Sequence, residues 1–160
     1  MSRLVSFIAR LEAQRRCLDH AAGLVAGLAG PVLELGLGNG RTYDHLRAGL
    51  PGRRIIVFER QVAAHPDCVP PDGDLVLGDL ERTLPGFRPP APVALIHADI
   101  GSGHDADDRC FAARLAPLLA GLLAPGGVLA GDQPFPDPAL VALPLPAGVA
   151  AGRYHLYRRS

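Results

Sequence analysis

The sequence predicts an α/β fold: a single doubly wound domain whose mostly parallel sheet carries helices on both faces and an antiparallel hairpin at its C-terminal end. Three observations predict it. Apolar runs of four to seven residues alternate with helical stretches, as in a parallel sheet buried on both faces with right-handed crossovers. The first run leads into a glycine turn, and the next four end in or beside an acid, at Glu59, Asp79, Asp99 and Asp132. Finally, 160 residues, 48% hydrophobic and 20% charged, suit one globular domain with no room for a second.

Residues 1–28 place Leu4, Phe7, Ile8, Leu11 and Leu18 at helical spacing, which predicts an amphipathic helix. We read residues 1–29 as a helical lid or packing segment and residues 30–160 as the sheet domain. Pro31–Leu35 reads as the first strand, Gly36–Gly40 as a turn, and Arg41–Arg47 as a helix stopped by Pro51-Gly52. Strands follow at Arg54–Phe58, Asp74–Leu77 and Pro92–Ala98. Ala106–Leu123 carries Phe111, Leu115, Leu118, Leu119 and Leu122 at helical spacing, with Pro117 as a possible break. Pro125-Gly126-Gly127 turns into a fifth strand, Val128–Gly131, and Leu140–Leu145 pairs with Tyr154–Arg158 as the hairpin.

Composition excludes several classes. Sixteen acids offset sixteen bases, all of them arginine, so there is no electrostatic footprint for a phosphate backbone and no nucleic-acid partner is expected. The longest uncharged run, Leu115–Gly131, is 17 residues with proline and glycine inside it, which predicts no membrane span. Leu4–Ala9 is too short for a signal peptide, so the sequence points to the cytoplasm. Cys17, Cys68 and Cys110 fit neither a disulfide framework nor a zinc spacing and read as reduced, mostly buried packing residues.

In a doubly wound sheet, ligands bind beyond the carboxyl ends of the strands, beside strand one. The glycines at 36, 38 and 40 allow a sharp turn and close backbone approach, and the helix after them offers free amides. A nicotinamide or flavin fingerprint needs its third glycine three residues after the second, a spacing this loop lacks. A nicotinamide-dependent reductase is therefore the weaker alternative.

Instead, Glu34-x-Gly36-x-Gly38-x-Gly40 resembles motif I of the class I S-adenosylmethionine (SAM) dependent methyltransferases, whose domain is Rossmann-like. Glu59 matches that family's acid that holds the ribose hydroxyls. Gly78-Asp79-Leu80 matches its adenine loop. The resemblance covers about residues 30–132 and implies SAM as cofactor, held by Glu34, Gly36, Gly38, Gly40, Arg41, Thr42, Glu59, Arg60, Gly78, Asp79 and Leu80. SAM is a sulfonium cation with a ribose diol and no pyrophosphate, which suits acids at strand ends.

Thr83-Leu84-Pro85, His97-Ala98-Asp99 and Gly126-Gly127 with Asp132 are partly similar to the macrocin O-methyltransferase group. That similarity implies magnesium between Asp99 and the pair Asp132 and Gln133. Here Gly101 stands in place of a second Asp and Gln133 in place of a carboxylate, so no metal is expected. The ending Gly152–Arg159 resembles a small stand-alone bacterial methyltransferase group of unassigned substrate.

Methyl transfer is an in-line displacement served mainly by positioning, with a base where the acceptor must lose a proton. His97 and Asp99, at the tip of strand four, are the candidate catalytic residues. Asp105, Asp107 and Asp108 read as caps of the following helix. The expected function is methyl transfer from SAM to a small-molecule acceptor, a hydroxyl in particular. The alternative is a non-catalytic module that binds SAM or S-adenosylhomocysteine (SAH). No segment is left for a substrate domain, and one face of Tyr154–Tyr157 is free to meet a neighbour, so a homo-oligomer is expected.

Overall fold

The computed structural model describes residues 1–160. It holds a seven-stranded sheet in the order β3-β2-β1-β4-β5-β7-β6. The strands are β1 (Val32–Leu35), β2 (Ile55–Glu59), β3 (Leu75–Leu77), β4 (Val93–Ala98), β5 (Leu123–Gly131), β6 (Leu140–Ala142) and β7 (His155–Arg159). β1 to β5 pair in parallel, whereas β7 runs antiparallel to both β5 and β6. This is the α/β architecture the alternation predicts.

Strand residues point alternately to the two faces, and each face is covered. Val32, Val57, Leu95 and Val128 pack beneath α1 (Arg3–Leu24) and α2 (Arg41–Gly49). On the other side, Leu33, Phe58, Ile96 and Leu129 meet α4 (Asp105–Leu122), with the short α3 (Leu80–Thr83) beside it. Leu33, Leu95, Ile96, Leu115 and Leu119 are fully enclosed, each worth roughly 1.5–3 kcal/mol of transfer free energy.

Three details depart from the sequence reading. The buried stripe of α1 is Ala13, Gln14, Cys17, Leu18 and Ala21, whereas Leu4, Phe7 and Ile8 are exposed. α1 packs on β4, β5 and α2, and its buried positions begin only at Ala13, past its first apolar turns. Pro117 does not break α4. Its ring faces solvent, as does Ala113 one turn earlier, so water can satisfy the carbonyl the proline leaves unpaired. Of the cysteines, Cys17 alone is buried and Cys110 is exposed. Enclosure among apolar groups pushes the Cys17 thiol up to about 11.

Candidate active site

The carboxyl ends of β1 to β4 open onto a cleft of about 830 Å³, the size of an ordinary small-molecule site. Gly36, Gly38 and Gly40 all have positive φ, at 90°, 52° and 85°, which lets the chain leave β1 and enter α2 within one tight turn. Each glycine also answers to a different neighbour. A Cβ at Gly36 would lie 3.0 Å from the Asp99 carbonyl, and one at Gly40 would lie 2.4 Å from the Cys68 Cβ. At Gly38 it would meet nothing within 4 Å, so bare backbone faces the cleft there.

Glu59, the last residue of β2, reaches across to this turn. One carboxylate oxygen accepts from the amides of Leu37 (2.7 Å) and Gly38 (3.0 Å), the other from those of Arg60 (2.7 Å) and Gln61 (3.4 Å). Burial works to raise its pKa, but these four amides outweigh it and hold the group below the usual carboxylate value.

The cleft brings together nine of the eleven expected cofactor residues: Gly36, Gly38, Arg41 and Thr42 around the turn, Glu59 and Arg60 from β2, and Gly78, Asp79 and Leu80 after β3. Asp99 lines it as well. Glu34, Gly40 and His97 do not. Gly40 is packed under the loop that carries Cys68, and Glu34 and His97 are opposite each other on β1 and β4, both fully buried.

That buried pair forms the centre of a polar chain. Thr42 Oγ1 donates to Glu34, whose other oxygen is 2.6 Å from His97 Nδ1, and His97 Nε2 bonds the buried hydroxyl of Tyr154. Burial alone would push the imidazole down. The carboxylate of Glu34 outweighs it, aided by the more distant Asp99 and Asp132, and holds His97 above its ordinary value. His97, expected at the methyl group, does not line the cleft. Its ring points under α1 and α2, away from the cleft, with both nitrogens engaged.

Asp132, at the end of β5, accepts from the amides of Ile100 (3.0 Å) and Gly101 (2.8 Å), and the Gln133 side-chain amide faces the same carboxylate at 3.4 Å. A Cβ at Gly101 would be 2.4 Å from its Oδ2. Burial and the charge of Asp99 push Asp132 up. These residues do not fit a magnesium site: the carboxylate is turned to backbone amides, and no three His, Cys, Asp or Glu side chains converge. Asp108 likewise turns back from α4 to the amides of Ser102 and Gly103 and to the Ser102 hydroxyl, bracing that loop.

Sequence reasoning missed part of the wall. Arg10, Leu11 and Gln14 of α1, and Phe111 and Arg114 of α4, also line the cleft. One signal was available for α1: Gln14 is the single polar residue in its buried stripe.

Residues 1–159 match the family described as S-adenosyl-L-methionine methyltransferase. The chain belongs to that family. An S-adenosyl-L-methionine methyl transferase from Silicibacter pomeroyi DSS-3 is 48% identical, covering 100% of this chain and 99% of its own, with a TM-score of 0.93. More remote similarity, at the level of the fold, extends to two further structures. Cofactor-bound Rv0187 from MTB is 19% identical over 98% of this chain and 88% of its own, with a TM-score of 0.61. The O-methyltransferase TomG from Streptomyces achromogenes, in complex with SAM, is 19% identical over 74% of this chain and 54% of its own, with a TM-score of 0.53. No curated protein matches the sequence.

This methyltransferase therefore uses SAM, and the nicotinamide-dependent and non-catalytic readings are set aside. The cleft fits the cofactor. The turn offers open backbone at Gly38, the Glu59 carboxylate lies at its floor, and Asp79 makes no side-chain cap bond to α3, which leaves its oxygens free for a ligand. No helix of the methyltransferase is long and apolar enough to cross a membrane.

Proposed function

We propose that the methyltransferase acts on a hydroxyl of a small-molecule acceptor, with Asp99 as the group that takes the hydroxyl proton. The observation that carries this reading is the carboxylate of Asp99. It lines the cleft beside the glycine turn, and its Oδ2 accepts from Gln14 at 2.8 Å while its Oδ1 makes no hydrogen bond. A carboxylate with one oxygen anchored and the other free is arranged to accept a proton from a neighbouring hydroxyl. Bound SAM supplies an electrophilic methyl group on a sulfonium.

In this reading Glu59 holds the ribose hydroxyls while it shapes the turn, and Asp79 with Leu80 receives the adenine. Gly36, Gly38, Arg41, Thr42, Arg60 and Gly78 complete the cradle, with Gly40 and the buried Glu34 shaping it from beneath. His97 acts from the interior, fixing Glu34 and through it Thr42. Residues 1–29 serve as a helical lid, and specificity comes from α1, the loop 100–106 and the segment 133–139, with a second copy covering part of the site. The even balance of charge supports a small-molecule acceptor over nucleic acid, and we place the reaction in the cytoplasm.

A panel of small hydroxyl and amine compounds, incubated with methyl-labelled SAM, tests the acceptor class. We expect label on oxygen and its loss in Asp99→Asn. Label on nitrogen, or an Asp99→Asn enzyme as fast as wild type, would overturn the reading. A light-scattering mass equal to one chain would remove the oligomer from it.

A further inference from the structure

We propose that Gln14 is a positioning residue for methyl transfer, which makes the first helix part of the active site and not merely its cover. Gln14 stands in the stripe by which α1 packs on the sheet, with Ala13, Cys17, Leu18 and Ala21 as its buried companions, and it is 5% exposed. A glutamine amide placed there costs stability unless it finds a partner. Its partner is 85 residues away: Nε2 donates to Asp99 Oδ2 at 2.8 Å. The Arg10 guanidinium, one turn earlier on the same helix, lies 3.7 Å from that same oxygen.

Both cationic or donor groups of α1 are thus spent on Oδ2, and Oδ1 is left without a hydrogen bond. Tyr154 is the next polar neighbour of Gln14, and its hydroxyl is already engaged by His97. The amide therefore has Asp99 as its one carboxylate, and the carboxylate has Gln14 as its one hydrogen-bond donor. Thr42, Gln14 and Asp99 face the cleft; behind its wall the chain from Thr42 through Glu34 and His97 to Tyr154 ends beside Gln14, which holds Asp99. The orientation of Asp99 is set from α1, not by its own strand.

The proposal rests on the reading of Asp99 as the carboxylate facing the transferred group, and the test separates the two. SAM carries a sulfonium charge that SAH lacks, so a carboxylate aimed at it raises affinity for SAM over SAH. Calorimetric titration of both ligands gives that ratio for wild type, Asp99→Asn, Gln14→Met and the double variant. Asp99→Asn should lower the ratio about fivefold, a part-exposed charge pair. Gln14→Met, which keeps length and helix preference, should lower it about threefold in the same direction. The double variant should be no worse than Asp99→Asn alone. A merely structural glutamine would change the melting temperature and leave the ratio alone.

A wild-type ratio in Gln14→Met beside a lowered one in Asp99→Asn overturns the positioning role only. An unchanged ratio in Asp99→Asn overturns the reading of Asp99 and the proposal with it. Should Gln14→Met fail to fold, Gln14→Ala, which removes the donor without crowding, is read by the same criteria.

Discussion

Replacing Glu59 by glutamine tests the part of the cleft on which the cofactor assignment depends. The carboxylate accepts four backbone amides, two from the glycine turn and two from the residues that follow β2. A glutamine keeps the shape but turns one oxygen into a donor, so two of the four amides lose their acceptor and the remaining two bond a neutral group. Hydrogen bonds to a charged group are each worth roughly 1.5–3 kcal/mol. Because Glu59 is only partly buried, the lower end applies to each of the two lost bonds, and a loss of about 3 kcal/mol of stability is expected. If the ribose diol also binds this carboxylate, SAH affinity falls about 10- to 30-fold.

The pH dependence has a definite sign. A carboxyl whose folded pKa is depressed contributes stability above its unfolded value of about 4.3 and loses it as pH falls through the folded value. The gap between wild type and Glu59→Gln should close in acid accordingly. Chemical denaturation across pH, together with calorimetry of SAH binding near neutrality, gives both quantities. An SAH affinity within threefold of wild type, with unchanged stability, would refute the reasoning.

Three further outcomes follow from the geometry. His97, raised above its ordinary value by Glu34, contributes stability that is whole below about pH 6.5 and is lost as pH rises through the raised value; the stability difference between wild type and His97→Asn in urea should therefore shrink from pH 6 toward pH 9, and a constant difference counts against the buried ion pair. Gly101→Asp brings a Cβ to 2.4 Å from the Asp132 carboxylate and adds a like charge; calorimetric melting should show a loss of about 1–3 kcal/mol, whereas an unchanged melting temperature would mean that Asp132 is free to swing away. Pro117→Ala restores one hydrogen bond in the middle of α4, and a gain of about 1–2 kcal/mol is expected by the same measurement.

Much of this molecule is legible in its sequence, because the signals are local. Each strand of the parallel core announces itself by a short apolar run, and the turn after β1 by glycines whose positive φ no other residue adopts cheaply. The acids at the tips of β2, β3 and β4 follow directly from where those runs stop. Such features depend on residues a few positions apart, and the physics that selects them acts within one turn or one strand.

Tertiary structure alone decided which of those residues face a ligand and which face each other. The strand order β3-β2-β1-β4-β5-β7-β6 makes β1 and β4 neighbours. Their shared register sets Glu34 against His97, and the alternation of side chains then turns both beneath α1 and α2, out of reach of the cleft. The same packing lays α1 across the sheet by the stripe containing Gln14, leaving Leu4, Phe7 and Ile8 uncovered. It also closes the distance of 85 residues between Gln14 and Asp99 to 2.8 Å. The ionisation and direction of a side chain are governed by its neighbours in space, and a pairing so remote along the chain exists only once the sheet has formed.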